Sequence, residues 1–244
     1  NRRVYQEAAQ AVEKREKAWL ITALGDGSSE LPGRQQCLVK QNGTLFGDFA
    51  ADRSFLAKLT AGPAKISIHA EVLDGQRYLV EAVRPAATAY IFGAGHVSQK
   101  IAPLAEMVGF RAVVLDDRPE YANRDRFPAP TEVVLISSFE ELPPLAIDGD
   151  SYLVIVTRGH LYDKTVLAQV LGAGAAYIGM IGSRRKRDKI YADLIAQGLS
   201  ADALQAVHSP IGTDILAETP EELAVSIVGE LIKVRAEREN GPRT

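Results

Sequence analysis

The chain has 244 residues, 46% hydrophobic and 24% charged, which is ample for a buried core and far from disordered or fibrous compositions. At roughly 150 residues per domain the length predicts one or two domains. A net charge of −3 lacks the basic excess of a nucleic-acid binder, and a single cysteine, Cys37, excludes an intrachain disulfide framework or a zinc site of several thiolates.

Residues 4–18 carry Val4, Ala8, Ala11, Val12 and Ala18 among charges and predict an amphipathic helix. Short apolar runs follow at Trp19 to Leu24, Cys37 to Val39, Leu45-Phe46, Ile66 to Leu73 and Tyr78 to Val83, with hairpin signals at Asn42-Gly43 and Asp74-Gly75. With a helix over Phe55 to Leu59 they predict a small α+β domain over residues 1–85. Arg84-Pro85-Ala86-Ala87 reads as a linker.

Over residues 86–244 strands and helices alternate. Strands are expected at Thr88 to Phe92, Ala112 to Leu115, Glu132 to Ile136, Tyr152 to Thr157, Ala176 to Ile181 and Leu204 to His208, and helices at 96–108, 162–172, 184–197 and 220–238. Near-continuous apolar strands are buried on both faces, which predicts an α/β fold: a doubly wound, Rossmann-type parallel sheet covered by helices. The window Thr165 to Ser183 has no charge, but Gly172, Gly174 and Gly179 interrupt it and it changes from helix-like to strand-like, so no membrane span is expected. Asn1-Arg2-Arg3 leads into polar residues, so no secretory leader is expected either, and the single cysteine makes a reducing, cytoplasmic setting the default.

Tyr90-Ile91-Phe92-Gly93-Ala94-Gly95-His96-Val97-Ser98 places a glycine turn between the first strand and first helix of this domain. Gly93 permits the tight turn, Gly95 lets backbone approach a phosphate, and the helix start at His96 and Val97 offers unpaired N–H groups. Ser98 is small enough for close helix packing. Asp116 and Asp117 end the next strand, 23 and 24 residues after Gly93, the spacing of a carboxylate that accepts from a ribose diol. Either could fill that role, and Arg118 follows.

Ligands of open α/β sheets sit beyond the carboxyl ends of the strands. There the fourth strand offers Thr157, Arg158 and His160, with Asp163 beyond, and the fifth offers Gly182, Ser183, Arg184 and Arg185, followed by Lys186, Arg187, Asp188 and Lys189. Basic residues at a helix start oppose its macrodipole, a mismatch that an anionic ligand offsets. His96, His160 and His208 all fall at predicted strand ends. No metal site is assigned to them, since they lack helical i, i+4 spacing. Thr219-Pro220-Glu221-Glu222 is a structural helix start: N-cap, proline and capping-box glutamate.

Gly93-Ala94-Gly95-His96-Val97, Asp116-Asp117-Arg118-Pro119-Glu120, Arg126-Phe127-Pro128, Thr157-Arg158-Gly159-His160 with Asp163, Tyr177 to Lys186, and His208-Ser209-Pro210-Ile211-Gly212 together resemble the C-terminal domain of the xanthine dehydrogenase accessory factor (XdhC/CoxI) family. The resemblance runs from about 88 to 230. It implies a molybdenum-cofactor binding and maturation protein, an accessory chaperone rather than a clear enzyme, that receives the cofactor, as molybdopterin or its dinucleotide form, assists its sulfuration and hands it to an apo molybdenum hydroxylase of the xanthine dehydrogenase kind. A cysteine desulfurase is a further implied partner, and a homodimer is expected. Gly25 to Gly33 looks like the family's Gly-Ser-Ser-Pro-Arg-x-Pro-Gly loop with Glu30 and Leu31 substituted. Where the family has a Gly-Ser-x-Ser-Gly-Gly-Cys stretch, this chain reads Phe46 to Asp52 without a cysteine, and Cys37 is expected to be a small buried hydrophobe. Two other readings share the fold: an NAD(P)-dependent oxidoreductase, with His160 or His208 as acid/base and Asp163 orienting it, and an NAD-binding regulatory protein. Against the first, no tyrosine has a lysine four residues on.

Overall fold

The computed structural model describes residues 2–14, 16–25, 35–47, 53–60, 68–73 and 75–240. The Asp26 to Gly33 part of the first glycine loop and the Asp48 to Asp52 stretch lie outside the described residues. The chain divides into two compact units, Asn1–Pro85 with Ala236–Thr244, and Ala86–Arg235.

The first unit is built on an antiparallel sheet with strand order β3-β2-β1-β5-β4: β1 (Ala18–Gly25), β2 (Gln36–Lys40), β3 (Leu45–Gly47), β4 (Ile68–Leu73) and β5 (Gln76–Val83). Alternation assigns its faces. Ala18, Leu20 and Leu38 pack under Val4 and Ala11 of α1 (Arg2–Glu13), whereas Ile21, Cys37, Val39, Tyr78 and Val80 pack with Leu56 and Leu59 of α2 (Arg53–Thr60). The Asn42-Gly43 turn forms as its residue types predict, with the Asn42 side chain accepting from the Thr44 amide and Gly43 at φ 83°.

In the second unit all five strands are parallel, in the order β10-β9-β6-β7-β8: β6 (Ala87–Phe92), β7 (Phe110–Asp116), β8 (Glu132–Leu135), β9 (Ser151–Ile155) and β10 (Tyr177–Met180). β9 is buried along its whole length, which is why its sequence lacks polar alternation. One face of the sheet, with Ile91, Val114, Val154 and Tyr177, carries Ile101 and Ala105 of α3 (His96–Met107) and Ile227 and Leu231 of α7 (Pro220–Asn240). The other, with Phe92, Leu115, Ile155 and Met180, carries α4 (Asp163–Val170), α5 (Arg184–Ala196) and Leu204 of α6 (Ala201–Gln205). The doubly wound reading of the sequence is therefore correct. Burying each such Leu, Ile or Phe contributes about 1.5–3 kcal/mol.

One expected strand is a helix instead. Ser200 caps the Ala203 amide and starts α6 where a strand over Leu204 to His208 was expected, and His208 makes a single parallel bridge to Gly179. Leu204 and Val207 are three apart, a helical rather than a strand interval, and both reach the core. The start of α7 follows its sequence signature: Thr219 Oγ1 accepts from the Glu222 amide, and Glu222 Oε2 accepts from the Thr219 amide. Among the described residues no helix is long and apolar enough to cross a membrane.

Candidate functional site

β6 is where the strand order reverses, since β7 and β8 lie to one side of it and β9 and β10 to the other. Such a reversal opens a crevice at the carboxyl ends of the two diverging halves. The residues that follow β6, β7, β9 and β10 are those marked by the sequence.

Gly93 has φ 110°, and a Cβ there would lie 2.5 Å from the Val156 carbonyl oxygen, so only glycine lets the turn pass this close to the end of β9. Its amide donates to Leu115 O at 2.7 Å, and its carbonyl accepts from the buried hydroxyl of Ser98. Gly95 is the N-cap of α3 at φ −73°, with no atom within 4 Å of where its Cβ would stand. The helix has no acid in its first turn and no side-chain cap, and its first main-chain bond runs from Gln99 N to Gly95 O. The amides of His96, Val97 and Ser98 therefore have no intrahelical acceptor. His96 itself is exposed.

The two aspartates after β7 have separate roles. Asp116 is fully buried and accepts from the Ala94 amide at 2.7 Å, from Arg118 N at 3.1 Å, and from Arg118 Nε and Nη2 at 2.8 and 2.9 Å. Burial pushes its carboxyl up, but the Arg118 guanidinium and the Ala94 amide outweigh this and hold it below the usual aspartate range. Asp117 Oδ2 accepts from Arg158 Nη2 at 3.2 Å, a bond joining the ends of β7 and β9, whereas its buried Oδ1 has no hydrogen-bond partner among the described residues. That oxygen lies 3.9 Å from Arg118 Nε, within ion-pair range, so Asp117 stands between two guanidinium groups.

On the β9 side, Asp163 is fully buried and accepts from Thr157 N at 3.2 Å, Thr157 Oγ1 at 2.6 Å and Lys186 Nζ at 2.6 Å. The basic run thus divides by direction. Lys186 turns inward to Asp163, Arg187 holds Ser209 O and Asp188, and Arg184 and Arg185 are exposed at the start of α5, which Ser183 caps. Gly182, at φ 144°, precedes that cap. The side chain of His160 lies outside the described residues. His208 belongs to a different cluster: its Nδ1 lies 3.1 Å from Glu230 Oε1, its ring packs 4.6 Å from that of Tyr177, and Glu230 Oε2 accepts from the Tyr177 hydroxyl and the Gly212 amide. Burial pushes the Glu230 carboxyl up, and these donors reverse it to a lowered value. Among the described residues no three His, Cys, Asp or Glu side chains are grouped to hold a metal.

Sequence reasoning named Lys186 and Arg126 within motifs but gave neither a role, and it passed over Glu230. Lys186 is overshadowed by its arginine neighbours, although position 186 is one helical turn past the Ser183 cap, where a side chain folds back over the helix start. Glu230 is an acid set among Ile227, Val228 and Leu231, and that interruption of an apolar face was its signal. Arg126 lies in a segment whose residue types give no sign of its direction.

The model of one protein family, described as the XdhC Rossmann domain, matches residues 89–231. An uncharacterized protein of Escherichia coli K12, YqeB, is 32% identical over 146 residues, covering 59% of this chain and 27% of the relative. A Bacillus subtilis protein described as a probable xanthine dehydrogenase subunit is 28% identical over 156 residues, covering 64% of this chain and 45% of the relative. The chain thus spans less than half the length of either curated relative. A solved structure described as a xanthine dehydrogenase from Bacillus halodurans superposes with a TM-score of 0.73 over 97% of this chain and 66% of that one, at 23% identity, a likeness of fold.

Proposed function

Because the chain belongs to the XdhC Rossmann domain family, we propose that it is an accessory protein of a xanthine dehydrogenase-like molybdenum hydroxylase, which binds the molybdenum cofactor and delivers it to the apoenzyme. The observation that carries this reading is the switch point, where uncapped amides at the start of α3 stand at the same strand ends as Asp117, whose Oδ1 accepts no hydrogen bond among the described residues. Those groups fit a ligand with an anionic phosphate and a hydroxyl donor, as in molybdopterin or its dinucleotide form. The cofactor supplies the redox-active molybdenum to the client enzyme. This chain's part is to hold phosphate on the α3 amides, to place a hydroxyl on Asp117, and to offer Arg184 and Arg185 to anionic oxygens at the rim. The name of the Bacillus subtilis relative supports the class of client.

Sulfur relay through Cys37 is not part of the proposal. Burial pushes its thiol up to about 12, so it carries almost no thiolate at neutral pH. A cysteine desulfurase, if engaged, would act on the bound cofactor by another route.

The deciding experiment is purification from a cytoplasm that makes molybdenum cofactor, followed by oxidation and fluorescence assay of bound pterin. Near-stoichiometric pterin is expected. NAD without pterin would overturn the reading in favour of a nicotinamide dinucleotide, which an acidic strand end after β7 also suits.

A further inference from the structure

The segment Arg118 to Phe127 folds back onto the glycine turn. Arg126 Nη2 donates to Ala94 O at 3.3 Å and to Gln99 Oε1 at 2.8 Å, and its guanidinium lies 4.7 Å from the centre of the Tyr121 ring, which also packs against Arg118 at 3.7 Å. Ala94 and Gln99 flank Gly95, so the guanidinium is held directly against the start of α3. Two aspects of this placement are unexplained by packing. Arg126 makes no ion pair among the described residues, and its buried Nε has no acceptor. The charge also stands at the positive end of a helix whose first turn contains no acid. The other strand-end cations differ in this respect, because Arg118, Arg158 and Lys186 each face an aspartate.

We propose that Arg126 is the ion-pairing residue of the phosphate seat at Gly95 to Val97. Its guanidinium, held in position by Nη2 and the Tyr121 face, supplies the counter-charge to a phosphate at that helix start. The class of ligand is a phosphate or diphosphate ester, whether the end group of a pterin or the bridge of a dinucleotide. The inference rests on the phosphate-seat reading above but names a residue that reading does not use.

The test measures inorganic pyrophosphate, ADP-ribose and molybdopterin by calorimetry on the full chain as wild type, Arg126→Gln, Arg126→Lys and Gly95→Asp. Arg126→Gln is expected to weaken each ligand at least tenfold and to abolish the ligand-induced rise in Tm, with the ligand-free Tm nearly unchanged. Arg126→Lys, which keeps the charge but loses the planar guanidinium held by Gln99 and Tyr121, should recover only part of the affinity. Selective recovery with molybdopterin would identify the pterin end group as the natural source, and selective recovery with ADP-ribose the dinucleotide bridge. If Gly95→Asp abolishes binding but Arg126→Gln binds as wild type does, the role of Arg126 is overturned and the phosphate seat stands. If wild type binds none of the three, both fall. A lowered ligand-free Tm in Arg126→Gln with an undiminished ligand-induced shift would make Arg126 merely structural and also overturn the proposal.

Discussion

Gly93 and Gly95 are two residues apart and need to be glycine for different reasons, which predicts opposite consequences of substitution. At Gly93 a methyl group meets the Val156 carbonyl at 2.5 Å in a backbone with φ 110°. Gly93→Ala should therefore cost about 2–4 kcal/mol, seen as a lowered urea midpoint. At Gly95 there is open space, and the N-cap position favours aspartate. Gly95→Asp should leave the urea midpoint unchanged or slightly raised while abolishing pyrophosphate binding in calorimetry, because it sets a carboxylate where the anion belongs. Unchanged affinity would remove the phosphate seat from the glycine turn. The sequence could mark both glycines but could not say which was steric and which was functional, since that depends on how closely β9 approaches.

At the scale of elements, the strand ends are organised by three carboxylates, each facing a cation: Asp116 with Arg118, Asp117 with Arg158, and Asp163 with Lys186. Asp116 fastens the end of β7 to the turn after β6 through the Ala94 amide. Its folded-state value is depressed, so its contribution is present above the unfolded value near pH 4 and is lost as pH falls through the lower folded value. Asp116→Asn should destabilise the protein by about 3 kcal/mol at pH 7, since Arg118 loses its counter-charge. In urea titrations the gap from wild type should narrow on acidification below about pH 4. A constant gap would mean that the loss is steric. Regular elements were legible because two-faced burial writes long apolar runs, as in β7 and β9. α6 was not, because a helix of five residues carries too few periods to display one.

Across the molecule, the net charge of −3 conceals how cations are distributed, and direction proved harder to read than position. The run from Arg184 to Lys189 stands out in the sequence, yet only Lys186 among them turns to a strand-end carboxylate. Arg126 is marked in the sequence only as part of the Arg126-Phe127-Pro128 motif, because its place beside α3 depends on a loop closing over Tyr121. The glycine turn, its acidic partners and the strand ends were legible; the pairings among them were not, since aspartates adjacent in sequence face different neighbours. Cys37, the chain's one cysteine, offers a probe of the first unit. It is fully buried with its thiol pushed up to about 12, so alkylation by iodoacetamide should be negligible in the native state and track unfolding in urea. Rapid native labelling would contradict that burial.

The bond from Ala94 N to Asp116 has a consequence for where a ligand can rest. An amide already committed to an internal carboxylate is withdrawn from recognition, so the middle residue of the Gly-Ala-Gly turn gives a ligand nothing. The available donors begin at Gly95 and continue into the first coil of α3. The proposed phosphate seat is thus shifted about one residue downstream of the turn's apex, onto the axis of the helix, where the macrodipole is felt most strongly. In the proposed site, the same aspartate that the sequence offered as a hand for sugar would instead aim the phosphate.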